Sequence, residues 1–279
     1  MTPRTWLITG VSSGFGHALA TRLLERGDRV VGTVRTPDKV TSLLEKHPDT
    51  FTAPVLDVTD TAAVRKTVDE SFAGGRVDVV VSNAGYGLFG AAEELTDAQV
   101  DHIIATNLTG SITLIRAALP HLRAQGGGRI IQLSSYGGQV AFPGNSAYHA
   151  TKWGIEGFAE AVAQEVAGFG IGVTIVEPGG ARTEFRYGSA RVADLMDAYD
   201  GTPAHAFQAM LDPAGGLAPG DPQRMAARII ESADAEPAPL RLVLGSQALD
   251  STIDVLRRRI DGFESQRELA ASTDFPPGE

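Results

Sequence analysis

Trp6-Leu7-Ile8-Thr9-Gly10-Val11-Ser12-Ser13-Gly14-Phe15-Gly16 decides how this chain folds. Its first four residues are a short apolar run, the pattern of a strand buried on both faces. The glycines follow at once, and a helical stretch runs from His17 to Arg26. A strand that ends in a glycine-rich turn and passes into a helix makes a cradle for a diphosphate. Glycine allows the tight turn and close backbone approach, and the helix amino terminus offers free N–H groups to the anion. The spacing is GxxxGxG, so Gly10, Ser12, Ser13, Gly14, Phe15 and Gly16 are candidates to line that cradle. Glycines also serve plain turns, and the loop alone leaves both uses open.

The rest of the chain narrows the choice. Strand patterns at 5–9, 29–34, 51–56, 77–82, 128–134, 171–177 and 240–244 are separated by helical ones, among them 60–72, 97–124 and 147–168. This alternation predicts an α/β domain whose parallel, seven-stranded sheet is covered by helices on both faces. Right-handed crossovers make it doubly wound. A chain of 279 residues that is 43% hydrophobic holds one such domain with a full core. Residues 1–279 are read as that single domain, with a segment at 184–222 over the substrate and a carboxy-terminal helix and tail at 246–279.

Composition excludes several function classes. The net charge of −10 argues against general nucleic-acid binding. With no cysteine there is no disulfide or thiol chemistry. The six histidines show no metal-ligand spacing, so no metal site is expected. The sequence offers no long apolar run and no basic amino-terminal segment followed by an apolar core. The expectation is a soluble cytoplasmic protein that does not engage a membrane.

The chemistry lies between Ser135 and Lys152. Tyr148 stands four residues before Lys152, which puts both side chains on one helix face. A phenol has an ordinary pKa of about 10, and bringing it near 7 requires roughly 4 kcal/mol in favour of the phenolate. Lys152 together with a positively charged cofactor ring would supply this, and Ser135 would hold the reacting oxygen beside Tyr148. The result is a proton-transfer device for a carbonyl or an alcohol. Val77-Asp78-Val79-Val80-Val81-Ser82 is another buried strand, and it ends in the small-residue turn Asn83-Ala84-Gly85, where a nucleotide could lie against the backbone. Asn107 interrupts an apolar helical pattern. A buried amide there needs partners, and either fixing a helix bend or relaying protons would explain it.

These motifs in this order resemble the short-chain dehydrogenase/reductase family, single-domain type. Thr9 to Gly16 matches its TGxxxGxG motif, Asn83 to Gly85 its NAG motif, and Asn107, Ser135, Tyr148 and Lys152 its catalytic tetrad. Ser135, thirteen residues before Tyr148, is the match rather than Ser134. Pro178-Gly179 and Thr183 match the turn after the sixth strand, and Asp57-Val58 the adenine-binding pair. Asp57 as a helix cap is the structural alternative. The resemblance covers roughly residues 4 to 245. It implies the Rossmann fold, a nicotinamide cofactor and a homodimer or homotetramer paired through 103–119 and 153–166. It also implies that Lys152 holds the nicotinamide ribose and that Asn107 anchors a water.

The second strand bears on the cofactor. Val34 stands where NAD-dependent relatives carry an acid, and Arg35 follows. An arginine fork fits a 2′-phosphate, and one charged hydrogen bond, about 1.5–3 kcal/mol, gives roughly 10- to 100-fold preference for NADP(H). NAD(H) is the alternative, with Arg35 a surface residue at a helix entry. Segment 184–222 lacks a strand pattern and carries Phe185, Tyr187, Leu195, Met196, Tyr199, Phe207, Met210 and Leu211 among Gly and Pro breaks. It is read as a helical pair packed on the core or a mobile lid. Tyr86, Tyr136, Val140 and Phe142 join it in suggesting a small-molecule substrate with apolar or aromatic bulk, while Arg182, Arg186 and Arg191 leave room for an anionic substituent. The expected function is a carbonyl reductase or alcohol dehydrogenase; a non-catalytic NADP-binding redox sensor is the alternative.

Overall fold

The computed structural model describes residues 2–209, 211 and 216–275, without the side chains of residues 186, 187 and 207–209. Met210, Pro213 and Gly215 of the expected lid, and the tail beyond Phe275, lie outside the described residues. So do the side chains of Arg186, Tyr187 and Phe207.

The first half runs β1 (Thr5–Thr9), α1 (Gly14–Arg26), β2 (Arg29–Thr33), α2 (Thr41–Lys46), β3 (Phe51–Thr52), α3 (Thr61–Ala73) and β4 (Val79–Ser82). There follow β5 (Leu88–Phe89), α4 (Asp97–Ile103), α5 (Gly110–Ala124), β6 (Gly128–Leu133), α6 (Ser146–Val166) and β7 (Ile171–Pro178). The chain continues through α7 (Glu184–Tyr187), β8 (Arg191–Val192), α8 (Pro203–Ala209), α9 (Pro222–Ser232), β9 (Arg241–Leu244), α10 (Ser246–Glu264) and α11 (Arg267–Ala271).

Seven strands form one sheet in the order β3-β2-β1-β4-β6-β7-β9. Every neighbouring pair is parallel. The chain leaves β3 at one edge and returns to β4 beside β1, so the winding reverses between β1 and β4. Crevices at such a reversal, outside the carboxyl ends of the strands, are where open α/β sheets bind ligands. Both faces are covered, which explains the continuous Val and Ile runs. Trp6 and Ile8 pack with Leu19, Leu23, Ile229 and Met225 on one face, while Leu7, Val80 and Ile130 pack with Leu114, Leu122 and Val162 on the other.

Three elements depart from the sequence expectation. The third strand, expected over 51–56, is regular only at Phe51–Thr52. Pro54 has no N–H to give to a ladder, and the pairing resumes only as an isolated Val34–Val55 bridge. Segment 184–222, read as lacking strands, holds β8, which pairs with β5 in a separate two-stranded sheet. Two residues are too few to show a period. The helical run 97–124 is continuous but widens at Ile104–Thr109 into a π turn between α4 and α5. Contrary to the expectation of no long apolar run, Asp97–Ala124 contains an 18-residue window of mean hydropathy 1.2. Half of that window is buried within the protein, as in a core helix.

Candidate active site

The cradle forms where β1 ends. Gly10 has φ +74° and Gly14 φ +58°, conformations that L side chains rarely adopt. A Cβ on Gly16 would overlap the Gly10 carbonyl. Ser13 is the N-cap of α1, but its side chain makes no capping bond, and the first turn carries no acid. The amino-terminal N–H groups of α1 are therefore left to an anion, which fits a dinucleotide diphosphate. Ser12 on this loop and Phe15 in the first turn of α1 are half-buried.

Asn83 stitches β4 to this loop. Its Nδ2 donates to the carbonyls of Thr9 and Gly10 at 2.8 and 2.9 Å, and its N–H donates to Thr9 Oγ1 at 3.0 Å. Ala84 N–H reaches the same hydroxyl at 3.1 Å. The side chain of Asn83 is thus committed to the fold, and Ala84 and Gly85 present backbone to the crevice. Asn107 receives Gly85 closely: a Cβ there would lie 3.1 Å from Asn107 Oδ1.

At the end of β2, Val34 is buried and Arg35 is exposed. Asp57 is also exposed, and its carboxylate accepts from Thr59 N–H at 2.9 Å and Thr59 Oγ1 at 2.8 Å. These bonds, aided by the charge of Arg35, hold its pKa below the usual range. The capping alternative for Asp57 does not hold, because α3 is capped by Asp60, which accepts from Ala62 and Ala63 N–H at 3.0 Å each. Val58 packs beneath Gly110 at the start of α5.

The four tetrad candidates are all buried: Asn107 is 1% exposed, Ser135 8%, Tyr148 9% and Lys152 7%. Ser135, two residues past β6, begins the next turn and accepts from Gly137 N–H at 3.0 Å, and its hydroxyl hydrogen-bonds the Tyr148 phenol. Lys152 Nζ donates to the Leu133 carbonyl at 2.9 Å and stands 5.7 Å from the centroid of the Tyr148 ring. The lowering expected from Lys152 together with a cofactor ring starts, in the protein alone, from a raised phenol. Burial pushes Tyr148 up to about 12, partly opposed by the Ser135 bond, and pulls Lys152 down to about 8. Desolvation penalises both charged forms, and the ammonium spends a bond on Leu133.

The Asn107 side chain ties the widened turn Ile104–Thr109 to Tyr86 and Thr151. Its Oδ1 accepts from Tyr86 N–H at 3.0 Å, and its Nδ2 donates to the Tyr86 carbonyl at 2.9 Å and to Thr151 Oγ1 at 3.3 Å. Both amide protons have protein partners.

Aromatic rings wall the site. Tyr148 lies 5.8 Å from Phe185 and 6.5 Å from Phe89, and Tyr136 lies 5.4 Å from Phe142. Val140 is buried beside the latter pair. Arg191 stacks over the Tyr86 ring at 4.9 Å, while Arg182 Nε donates to the Ala218 carbonyl at 2.8 Å. Pro178 ends β7, and Gly179 N–H donates to Leu244 at 2.8 Å. Thr183 begins α7 with an uncapped side chain, facing Gly14 across the cradle.

Sequence reasoning missed three side chains. His149 donates Nδ1–H to the Gly137 carbonyl at 2.7 Å and accepts Phe142 N–H on Nε2 at 2.9 Å. Those partners fix the neutral tautomer, and burial pulls its pKa below the ordinary value. Glu94, buried before α4, accepts from Ala91 N–H, Met196 N–H and His205 Nε2 at 2.6, 2.8 and 2.6 Å, and so pins segment 191–205. No sequence pattern marks it. Glu156 was findable as an acid on the apolar face of α6.

The model of the family described as short chain dehydrogenase matches residues 4–191. The chain belongs to the short-chain dehydrogenase family. This short-chain dehydrogenase is 39% identical over 274 residues to "Oxidoreductase BOA17" of Botryotinia fuckeliana, covering 97% of this chain and 99% of the relative. A crystal structure of a short-chain dehydrogenase from Streptomyces avermitilis superposes with a TM-score of 0.92 at 39% identity, covering 98% of this chain and 100% of the other. A structure described as "ElxO with NADP Bound" superposes with a TM-score of 0.73 at 26% identity, covering 89% and 100%. The oxidoreductase class and the Rossmann-like fold are thereby established for this chain.

Proposed function

We propose that this oxidoreductase interconverts a carbonyl and an alcohol with NADP(H), on a small substrate with apolar or aromatic bulk. The observation that carries the reading is the convergence of Ser135, Tyr148 and Lys152 in one buried cluster. When bound, the nicotinamide supplies hydride exchange and, oxidised, a ring cation. Ser135 orients the reacting oxygen. Tyr148 donates its proton to that oxygen in reduction and accepts one in oxidation. Lys152, anchored on Leu133, has protons left for the cofactor ribose and adds positive charge near the phenol. Because burial holds the phenol near 12 in the protein alone, the second cation is needed to bring it toward neutrality. Gly10, Ser12, Ser13, Gly14, Phe15 and Gly16 would hold the diphosphate, with Thr183 opposite.

The NADP(H) preference is supported by the buried, uncharged Val34, the exposed Arg35 behind it, and the NADP-bound neighbour. The aromatic wall of Phe89, Phe142 and Phe185 supports the apolar substrate. A cytoplasmic homodimer or homotetramer completes the proposal, with the absence of cysteine in keeping. The test is NADPH and NADH oxidation by purified protein against ketones, aldehydes and diketones of graded size. Turnover that favours NADPH and needs Tyr148 supports the reading. Tight NADPH binding with no turnover across the panel would favour the redox-sensor alternative.

A further inference from the structure

Behind the catalytic cluster lies a buried acid that the proposed chemistry does not use. Glu156 follows Lys152 by one helical turn on α6 and is 2% exposed. A carboxylate in such a place needs partners. Ser134 Oγ donates to its Oε1 at 2.5 Å, Gln139 Nε2 donates to its Oε2, and Arg241 Nη1 donates to Oε2 at 2.6 Å. Arg241, on β9, also donates to Glu177 Oε1 at 2.5 Å and to Glu160 Oε2 at 2.6 Å. The turn comes so close that a Cβ on Gly138 would overlap Glu156 Oε1.

The placement of these partners matters more than their number. Ser134 immediately precedes Ser135, and Gln139 closes the turn that Ser135 begins. One carboxylate on the Tyr148–Lys152 helix therefore grips both ends of the segment that carries Ser135. We propose that Glu156 is a positioning residue that fixes Ser135 against Tyr148 and Lys152, clamped from behind by Arg241. This rests on reading those three residues as the catalytic set.

A purely structural ion pair explains the arrangement less well. Buried ion pairs are commonly no more stabilising than apolar packing of the same volume, and here three carboxylates share one guanidinium. Burial and then the neighbouring Glu156 push the Glu177 pKa up to about 7. Glu156 also acts through space: its charge disfavours the Tyr148 phenolate and favours the Lys152 ammonium. The groups that face it are Tyr148, Lys152 and Glu160 on α6, Glu177 on β7 and Arg241 on β9, with neutral Ser134 and Gln139.

Two variants separate the tether from the charge. Ser134→Ala keeps the charge and cuts one tether. Glu156→Gln keeps the size and removes the charge. The readouts are kcat, NADPH Kd, and the tyrosinate absorbance of NADP⁺-saturated protein during a pH titration, taken as the difference from the same protein carrying Tyr148→Phe. For folded Ser134→Ala we expect kcat to fall about 10-fold or more, as for a misplaced reacting group, with NADPH Kd unchanged and the Tyr148 midpoint raised, because a loosened Ser135 no longer favours the phenolate. For folded Glu156→Gln we expect a lower Tyr148 midpoint, because removing a negative charge favours the phenolate. Wild-type kcat in Ser134→Ala, or an unmoved midpoint in folded Glu156→Gln, overturns the proposal. If Glu156→Gln does not fold, Ser134→Ala decides alone. Should Tyr148→Phe turn over normally, the catalytic reading fails instead, and the absorbance titration still reports whether Glu156 acts on Tyr148.

Discussion

The side-chain amide of Asn107 holds both backbone groups of Tyr86, accepting its N–H at 3.0 Å and donating to its carbonyl at 2.9 Å. It does for Tyr86 what a neighbouring strand would do, at a point where no strand runs. The grip joins the wall of the site after Gly85 to the widened turn Ile104–Thr109. Such π turns expose backbone that a regular helix would close, and they recur at functional sites.

Asn107→Leu should therefore destabilise the fold as well as slow turnover. It leaves two buried backbone groups of Tyr86 without partners, at about 1–3 kcal/mol each. Urea unfolding should show a lower midpoint with an unchanged slope. A midpoint within error of wild type would mean that the grip contributes nothing and that Asn107 has another task.

Tyr148→Phe keeps the ring in the cluster of Phe89 and Phe185 and removes the acid. Turnover should fall by about 10²–10⁴-fold, the range of general acid–base catalysis. NADPH Kd, read by fluorescence, should change little, since the diphosphate cradle is the Gly10–Gly16 turn where β1 passes into α1. A variant with near-normal kcat would remove Tyr148 from the mechanism.

The cofactor test has to respect burial. Val34 is 1% exposed and bridges Val55, so an aspartate there would bury a charge and endanger the fold. Arg35 is exposed, where substitutions usually stay within about 0.5 kcal/mol. Arg35→Asp should cost little stability and reverse the charge toward a 2′-phosphate. The ratio of kcat/KM for NADPH over NADH should drop by at least roughly 10- to 100-fold, the worth of one charged hydrogen bond. A wild type that already prefers NADH would show that Arg35 has no such role.

What was legible in the sequence follows from the range of each interaction. The cradle and the YxxxK pair are local, written in residues that lie next to one another, and the structure places them as read. The alternation of apolar runs gave the parallel sheet because buried strands need apolar side chains on both faces. Asn107 was seen as a buried amide, but its partner Tyr86 lies 21 residues away, so no local pattern could choose between bend and relay. The burial of Tyr148 was hidden for a similar reason: the elements that bury it, and so raise its pKa in the protein alone, are distant in sequence. Glu94 and His205 are separated by 111 residues, and β5 and β8 are two residues each. Neither length nor spacing announces such contacts.

That last pair of side chains gives the prediction on closure. Glu94 ties Met196 N–H and His205 Nε2 to the base of the site, Asp200 lies 3.3 Å from His205 Nδ1, and the Tyr199 ring lies tilted against the imidazole with centroids 6.0 Å apart. The hydrogen bond to Glu94, foremost, and the charges of Glu94 and Asp200 raise the His205 pKa, against a smaller opposing effect of burial. A histidine whose folded pKa is raised adds stability that is fully present below its unfolded value of about 6.5. That stability is lost as pH rises through the folded value. Segment 191–205 should therefore be held most firmly in mild acid and loosen as His205 deprotonates. Amide exchange, corrected for its intrinsic pH dependence, should show greater protection there at the acid end of the window. NADPH with substrate should add protection in this segment more than in β1 or β4. His205→Gln keeps a donor but cannot titrate, and its protection should be independent of pH across the same window. Equal protection of wild type at both ends, unmoved by ligand, would make this segment a fixed wall, and the closing lid should then be abandoned.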